Sequence, residues 1–280
     1  MAQIHWFPGH MKKALNEIEE KIKLVDVVIE ILDARAPISS INPEFEKRIA
    51  NKKKLVVISK SDLADPLETE KWAIYLKKSV NSLFILDLTN PKSEKFISEE
   101  VKKLGAEKHA KEKAKGMKPQ PIKAMIIGVP NVGKSSLINR IAKRNAAGVQ
   151  NKPGFTRCEQ YIKVNNDFIL LDTPGVLPMN YDDKVHATNL ALLGSIRDEI
   201  LPNDELVKSL LKYLSKNYPN ALEGRFGITD LSDPIKVSEE VARKRGLISA
   251  GEYDLNKADF LILKEFKEGK LGRITLEKVQ

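Results

Sequence analysis

A glycine-rich loop carries the clearest chemistry in this 280-residue chain. Gly128, Val129, Pro130, Asn131, Val132, Gly133, Lys134 and Ser135 follow the pattern G-x-x-x-x-G-K-S, between an apolar run, AMIIG, and a helical one, SSLINRIA. Glycines let backbone N–H groups approach phosphate oxygens, and the N-terminus of the following helix adds its positive end. In this pattern Lys134 reaches the β- and γ-phosphates, the Ser135 hydroxyl ligates Mg²⁺, and Val132, Gly133 and Ser136 complete the cradle. Strand, loop and helix in this order predict a nucleoside triphosphate site.

Downstream, FILLDTPG puts Asp172 at the end of another apolar run, with Gly175 close behind. A carboxylate there holds Mg²⁺ through its water shell, and the Gly175 N–H contacts the γ-phosphate. Between the two motifs lies NKPGFTR, whose Thr156 stands where a mobile loop would close on the metal and the γ-phosphate. The expected metal ligands are therefore Ser135, Thr156 and Asp172.

A phosphate loop does not choose a base. Guanine is selected by a carboxylate that accepts N–H bonds from the ring and the exocyclic amine, in a motif Asn-Lys-x-Asp at a strand end; an unmatched base leaves that carboxylate unsatisfied. Two segments compete. Asn256, Lys257, Ala258 and Asp259 match literally, but they follow a polar, glycine-containing stretch and precede FLILKEF, which reads as a helix that Asn256 caps. Ser59, Lys60, Ser61 and Asp62 match less well, yet they follow the apolar residues Leu55, Val56, Val57 and Ile58. A base-reading loop must leave a central strand to lie beside the phosphate loop, so Ser59, Lys60 and Asp62 are the expected readers and the literal match a decoy. In proteins with this motif a backbone contact to the guanine oxygen follows the next strand, here after SLFILDLT near Leu88, Thr89 and Asn90, a place that carries almost no signal in the sequence itself. The base-reader then precedes the phosphate loop in the chain, an order that implies circular permutation. Joining old termini and opening the chain elsewhere preserves a core whose ends lie close together.

The elements needed to position these groups are legible. VDVVIEILDAR, KKLVVISK, SLFILDLT, IKAMIIGV and QYIKVNNDFILLD read as buried strands, and KKALNEIEEKIKLV, TEKWAIYLKKSV and SSLINRIAKR as helices between them. Alternation of this kind predicts an α/β fold, a mostly parallel sheet with helices on both faces. The lysine-rich GAEKHAKEKAKGMKPQP reads as a solvated helix running into a connector, the join of the permutation. Later segments are helical, which divides the chain into a GTPase domain, 1–182, and a small all-helical C-terminal domain, 183–280. Lys+Arg 47 against Asp+Glu 38, a net charge of +9, favours a polyanionic partner. Cys158 stands alone, so neither a disulfide nor a cysteine zinc site is expected. With no long apolar run, the expectation is a cytoplasmic protein with no membrane segment.

On these motifs, together with WFPGHM, LDARAP, YPNALEGRFG and GKLGRITLE, the chain resembles the circularly permuted GTPases, most closely the ribosome biogenesis GTPase A family, over nearly its whole length. The resemblance implies a GTP-hydrolysing assembly factor that binds the precursor of the large ribosomal subunit and its rRNA, promotes late maturation, and acts as a monomer exchanging GTP and GDP. Such proteins lack the glutamine that many GTPases place after the glycine of the Asp172 motif; Val176 stands there, and an apolar side chain cannot orient water. The resemblance gives that catalytic role to His10 of PGHM, beside Lys134. It also places K⁺ beside Asn131, against the alternative that Asn131 only shapes the loop. Ser59 departs from the family's asparagine, and its shorter reach is expected to weaken a guanine contact and a tie to the phosphate loop, with Asp62 keeping GTP specificity at lower affinity. Trp6 and Phe7 read as packing residues, Asp33 and Arg35 as a structural ion pair, and Arg243, Lys244 and Arg245 as contacts to RNA phosphates. A nucleotide-gated RNA scaffold without turnover, and an ATP-using kinase, are the competing readings.

Overall fold

The computed structural model describes residues 9–86, 93–141, 160–166, 168–178, 183–196 and 202–279. Helix α1 (Gly9–Ile22) leads into β1 (Val27–Asp33), then α2 (Pro43–Ile49), β2 (Lys53–Ser59), α3 (Pro66–Lys77) and β3 (Ser82–Ile85). Helices α4 (Ser93–Leu104) and α5 (Ala106–Ala114) cross to β4 (Ile122–Ile127), which is followed by α6 (Lys134–Ile141), β5 (Gln160–Lys163) and β6 (Phe168–Asp172). The six strands form one sheet in the order β3-β2-β1-β4-β6-β5, parallel except for β5. The run QYIKVNNDFILLD is thus two antiparallel strands, turned where Asn165 Oδ1 accepts from the Phe168 N–H at 3.0 Å.

Counted from β4, the same strands read 6-5-4-1-3-2 across the sheet. This is the doubly wound topology with its first strand, β4, central and the chain opened before its fourth strand, β1. Connections from β1 run to one side and those from β4 to the other, so the crevice at their carboxyl ends is the switch point where ligands bind in such sheets.

Alternation along each strand serves two buried faces. Val27, Ile29 and Ile31 of β1 share one core with Ala124 and Ile126 of β4, whereas Val28 shares the opposite one with Met125 and Ile127. Helix α1 covers that second face through Leu15, Ile18 and Ile22, spaced as one stripe of a helix. Helix α5 has no buried residue among those described, as a solvated helix should.

Beyond the sheet the chain is helical: α7 (Lys184–Leu192), α8 (Asn203–Asn217), α9 (Glu223–Phe226), α10 (Pro234–Arg245) and α11 (Leu255–Lys267), with a short ribbon of β7 (Ile248–Ser249) and β8 (Glu252–Tyr253). Leu190, Leu210 and Ile262 belong to the same continuous core as Ile29 and Ile126. After α11 the tail returns to the sheet: the Leu276 N–H donates to Arg35 O at 2.6 Å, the Trp72 indole to Glu277 O at 3.0 Å, and the Ser39 hydroxyl to the Glu277 carboxylate.

One charge network holds this return in place. Asp33, at the end of β1, accepts from Arg35 Nε at 3.0 Å and a terminal guanidinium nitrogen at 2.8 Å, and Lys60 Nζ lies 3.0 Å away. Burial pushes the Asp33 carboxyl up, but the Arg35 and Lys60 charges outweigh it and hold it well below the usual carboxylate range. Arg35 also donates to Lys267 O at 3.1 Å and lies 5.9 Å from the Phe266 ring centroid. The expected ion pair is present, and it also joins the sheet to α11. Arg35 and Asp33 are only 2% and 1% exposed, so Arg35→Ala strips a buried carboxylate of its bidentate partner. The expected loss is about 3 kcal/mol of unfolding free energy, measured by urea titration.

Candidate functional site

The loop after β4 is shaped by backbone that few side chains tolerate. Asn131 adopts φ 60° and Gly133 φ 100°, while Val129 and Val132 anchor the loop in the core. Helix α6 starts at Lys134, leaving Ser135 and Ser136 half-buried in its first turn. Lys134 Nζ donates to Gly128 O at 3.2 Å and Val129 O at 3.1 Å. Its burial drives the ammonium down to about 8, although Asp172 opposes the shift.

Asp172 closes β6 beside this lysine. Burial raises its carboxyl to about 6 against the pull of Lys134 and of the Thr173 N–H. Its Oδ1 is buried without a hydrogen-bond partner among the described residues. A buried carboxylate oxygen with no donor among the described residues fits a small hard cation such as Mg²⁺. The Thr173 hydroxyl donates to Ile126 O at 2.6 Å and pins the Asp172 motif to the end of β4. Gly175 passes so close to the loop that a Cβ there would sit 2.8 Å from Lys134 Nζ and from two Pro130 backbone atoms. Only glycine permits that approach.

Across β1, the Ser59 hydroxyl lies 2.5 Å from Val132 O and 3.0 Å from Leu32 O. The tie to the phosphate loop is thus present despite the shorter side chain. A short side chain suffices because Ser59 and Gly133 approach closely: a Cβ on Gly133 would lie only 3.7 Å from Ser59 Oγ. Lys60 takes φ 54° and points its ammonium at Asp33, with burial lowering its pKa against that carboxylate. Asp62 lies exposed in the turn that follows. Asp259, the competing aspartate, is buried and accepts from the Ser238 hydroxyl at 2.5 Å, joining α11 to α10. The polar environment of Asp259 is therefore structural. The cap of α11 is Asp254, which accepts from the Lys257 N–H, and not Asn256.

Asn131 Nδ2 donates to Gly194 O at 2.6 Å, and the Ser195 hydroxyl to Pro130 O at 2.8 Å, so the loop is also held by the turn after α7. Val176 is buried with Leu15 and Ile18 of α1, and its carbonyl accepts from Asn42 Nδ2 at 2.9 Å. Helix α1 is thereby seated under the Asp172 motif, with His10 in its first turn. The His10 side chain, Trp6, Phe7, Leu88, Thr89, Asn90, Thr156 and Cys158 lie outside the described residues. Thr173, Ser195 and Asn42 escaped sequence reasoning. Of these only Asn42 carried a local signal, as a cap one residue before Pro43.

Comparisons with known proteins agree with this geometry. Residues 123–220 match the family model described as a 50S ribosome-binding GTPase. The chain is 40% identical over 276 residues to the ribosome biogenesis GTPase A of Bacillus cereus, covering 98% of this chain and 93% of that protein. It is 30% identical over 274 residues to the ribosome biogenesis GTPase A of Thermotoga maritima, covering 98% and 94%. The structure of GNP-bound YlqF from T. maritima superposes with a TM-score of 0.68 at 26% identity, covering 95% of this chain and 98% of that one.

The two perturbed groups define a pH window for nucleotide binding. Below about 6 the Asp172 carboxyl takes a proton and loses the charge a metal would need; above about 8 Lys134 sheds the charge a phosphate would meet. Affinity for Mg²⁺-GDP, measured by fluorescence titration, should be greatest between these limits and fall on both sides. Gly175→Ala should weaken GTP binding roughly tenfold or more, since its methyl must displace Lys134 or Pro130.

Proposed function

Because the chain belongs to the ribosome biogenesis GTPase A family, and is thus a GTP-hydrolysing enzyme of ribosome biogenesis, we propose that it binds the precursor of the large ribosomal subunit and promotes its late maturation. The observation that carries the site assignment is the convergence of Lys134, Asp172 and Gly175 at neighbouring strand ends, with the Ser59–Asp62 segment tied to the same loop across β1. Lys134 leaves its carbonyl partners to meet the β- and γ-phosphates, and the Gly175 N–H faces the γ-phosphate. Asp62 accepts from the guanine ring and amine.

Ser135 and Asp172, joined by Thr156, would hold Mg²⁺, which when bound neutralises charge on the phosphates. The Asn131 Nδ2 serves the turn at Gly194, which supports the loop-shaping role, while a K⁺ ion would call on its Oδ1. In this reading His10 orients the attacking water, since Val176 is packed in the core.

The described residues contain no helix long and apolar enough to cross a membrane. For RNA contact the basic triplet divides. Lys244 Nζ donates to Phe226 O and Gly227 O at 2.9 and 2.7 Å, and Arg245 donates to Arg225 O at 2.9 Å. Both cap the end of α9. All three are exposed, and Arg243, which takes no part in these cap bonds, is the member of the triplet placed to meet a phosphate.

Two measurements test the assignment. His10→Ala should lower kcat for GTP hydrolysis roughly a hundredfold or more while GDP affinity holds; an unchanged kcat removes His10 from the mechanism. Association with isolated large-subunit particles should weaken steeply between low and moderate salt if phosphates dominate. A flat salt response would count against RNA as the contact.

A further inference from the structure

The turn that carries Asp62 is held by the far end of the chain. From Ser61 to Asp65, backbone groups on both sides of Asp62 are bonded by residues 273–275. Arg273 donates to Ser61 O at 2.7 Å and to Ala64 O at 2.8 Å. The Ile274 N–H donates to Leu63 O at 3.1 Å, and Thr275 Oγ1 accepts from the Asp65 N–H at 3.1 Å. A planar guanidinium can span two carbonyls in this way, whereas an ammonium is a single point of charge.

The strap is itself firmly seated. Ile274, Thr275 and Leu276 are buried. Tyr213 donates to Thr275 O at 2.7 Å, and the Tyr218 hydroxyl donates to Asp65 Oδ2 at 3.1 Å, which ties the same turn to α8. Gly269, at φ 73°, lets α11 end against Leu63; a Cβ there would lie 2.7 Å from Leu63 Cδ2. Asp62 stays exposed while its neighbours are fixed from the tail.

We propose that Arg273 is a positioning residue for nucleotide recognition: with Ile274 and Thr275 it fixes the turn carrying Asp62, so that guanine affinity depends on the C-terminal strap. The inference rests on the reading that Asp62 pairs with the guanine. Without the strap the carboxylate samples orientations in which its paired bonds to the base are lost, and a small misplacement of such a group is enough to cost affinity.

The test is a titration of the full chain with fluorescent GDP and XDP. Arg273→Ala should lower GDP affinity about tenfold, and Arg273→Lys should fall between it and the parent. In an Asp62→Ala background, adding Arg273→Ala should cost nothing further, because the group it positions is gone. An unchanged GDP affinity in Arg273→Ala overturns the proposal. So does an equal loss in both backgrounds, which would mark a general weakening of the fold. If Arg273→Ala does not fold, Thr275→Val, which keeps the side-chain shape but removes the acceptor for the Asp65 N–H, takes its place with the same expected result. Asp62→Asn should exchange GDP for XDP preference; if it does not, the base assignment itself fails, and that failure is visible separately from any effect of the strap.

Discussion

The nucleotide site depends on β1 being hydrogen-bonded along both edges. It pairs with β2 on one side and β4 on the other, with Ile29 opposite Leu55 and Ile126. That fixes the spacing between the candidate base-reading turn after β2 and the phosphate loop after β4. Ser59 then closes the remaining gap with a side-chain bond. Its hydroxyl has a single proton and two carbonyls within reach, and the shorter contact is to Val132 O in the phosphate loop. A side chain this short works only because parallel pairing has already brought the backbones together.

Permutation changes what the chain can connect without changing that sheet. Opening the chain before β1 frees an N-terminal helix to pack beneath the Asp172 motif, with Leu15 and Ile18 in the cluster that holds Val176. It also means that the chain leaving the Asp172 motif runs directly into the helical region, whose first turn holds the phosphate loop through Gly194 and Ser195. The tail completes the circuit at Asp65 and Arg35. Both halves of the nucleotide site are therefore braced by the helical region, one through the turn after α7 and the other through the strap. Movement there would change contacts at the phosphate loop and the candidate base-reading turn together.

Charge is handled differently at the two strand ends. Asp33 is buried but fully matched by Arg35 and Lys60, so it acts as a joint. Asp172 is buried with one oxygen unmatched among the described residues, so it retains capacity for a ligand. Burial alone does not distinguish them; the count of donors does.

The sequence by itself indicated the apolar strands, though not the break inside QYIKVNNDFILLD, the phosphate loop with Lys134, and the unsuitable setting of Asp259, because these depend on local patterns: apolar runs, glycines at fixed offsets, and the environment immediately before a motif. It also indicated the pairing of Asp33 with Arg35, since two opposite charges at a strand end lie within reach of each other. It could not show that Ser59 reaches Val132, that Thr173 pins Ile126, that Lys244 and Arg245 cap α9, or that Arg273 meets Ser61 and Ala64. Each of those bonds joins residues distant in the chain, and its partner is a backbone carbonyl, which every residue possesses and no residue type announces. Only the packing of the sheet against its helices decides which carbonyl stands within 3 Å of which donor.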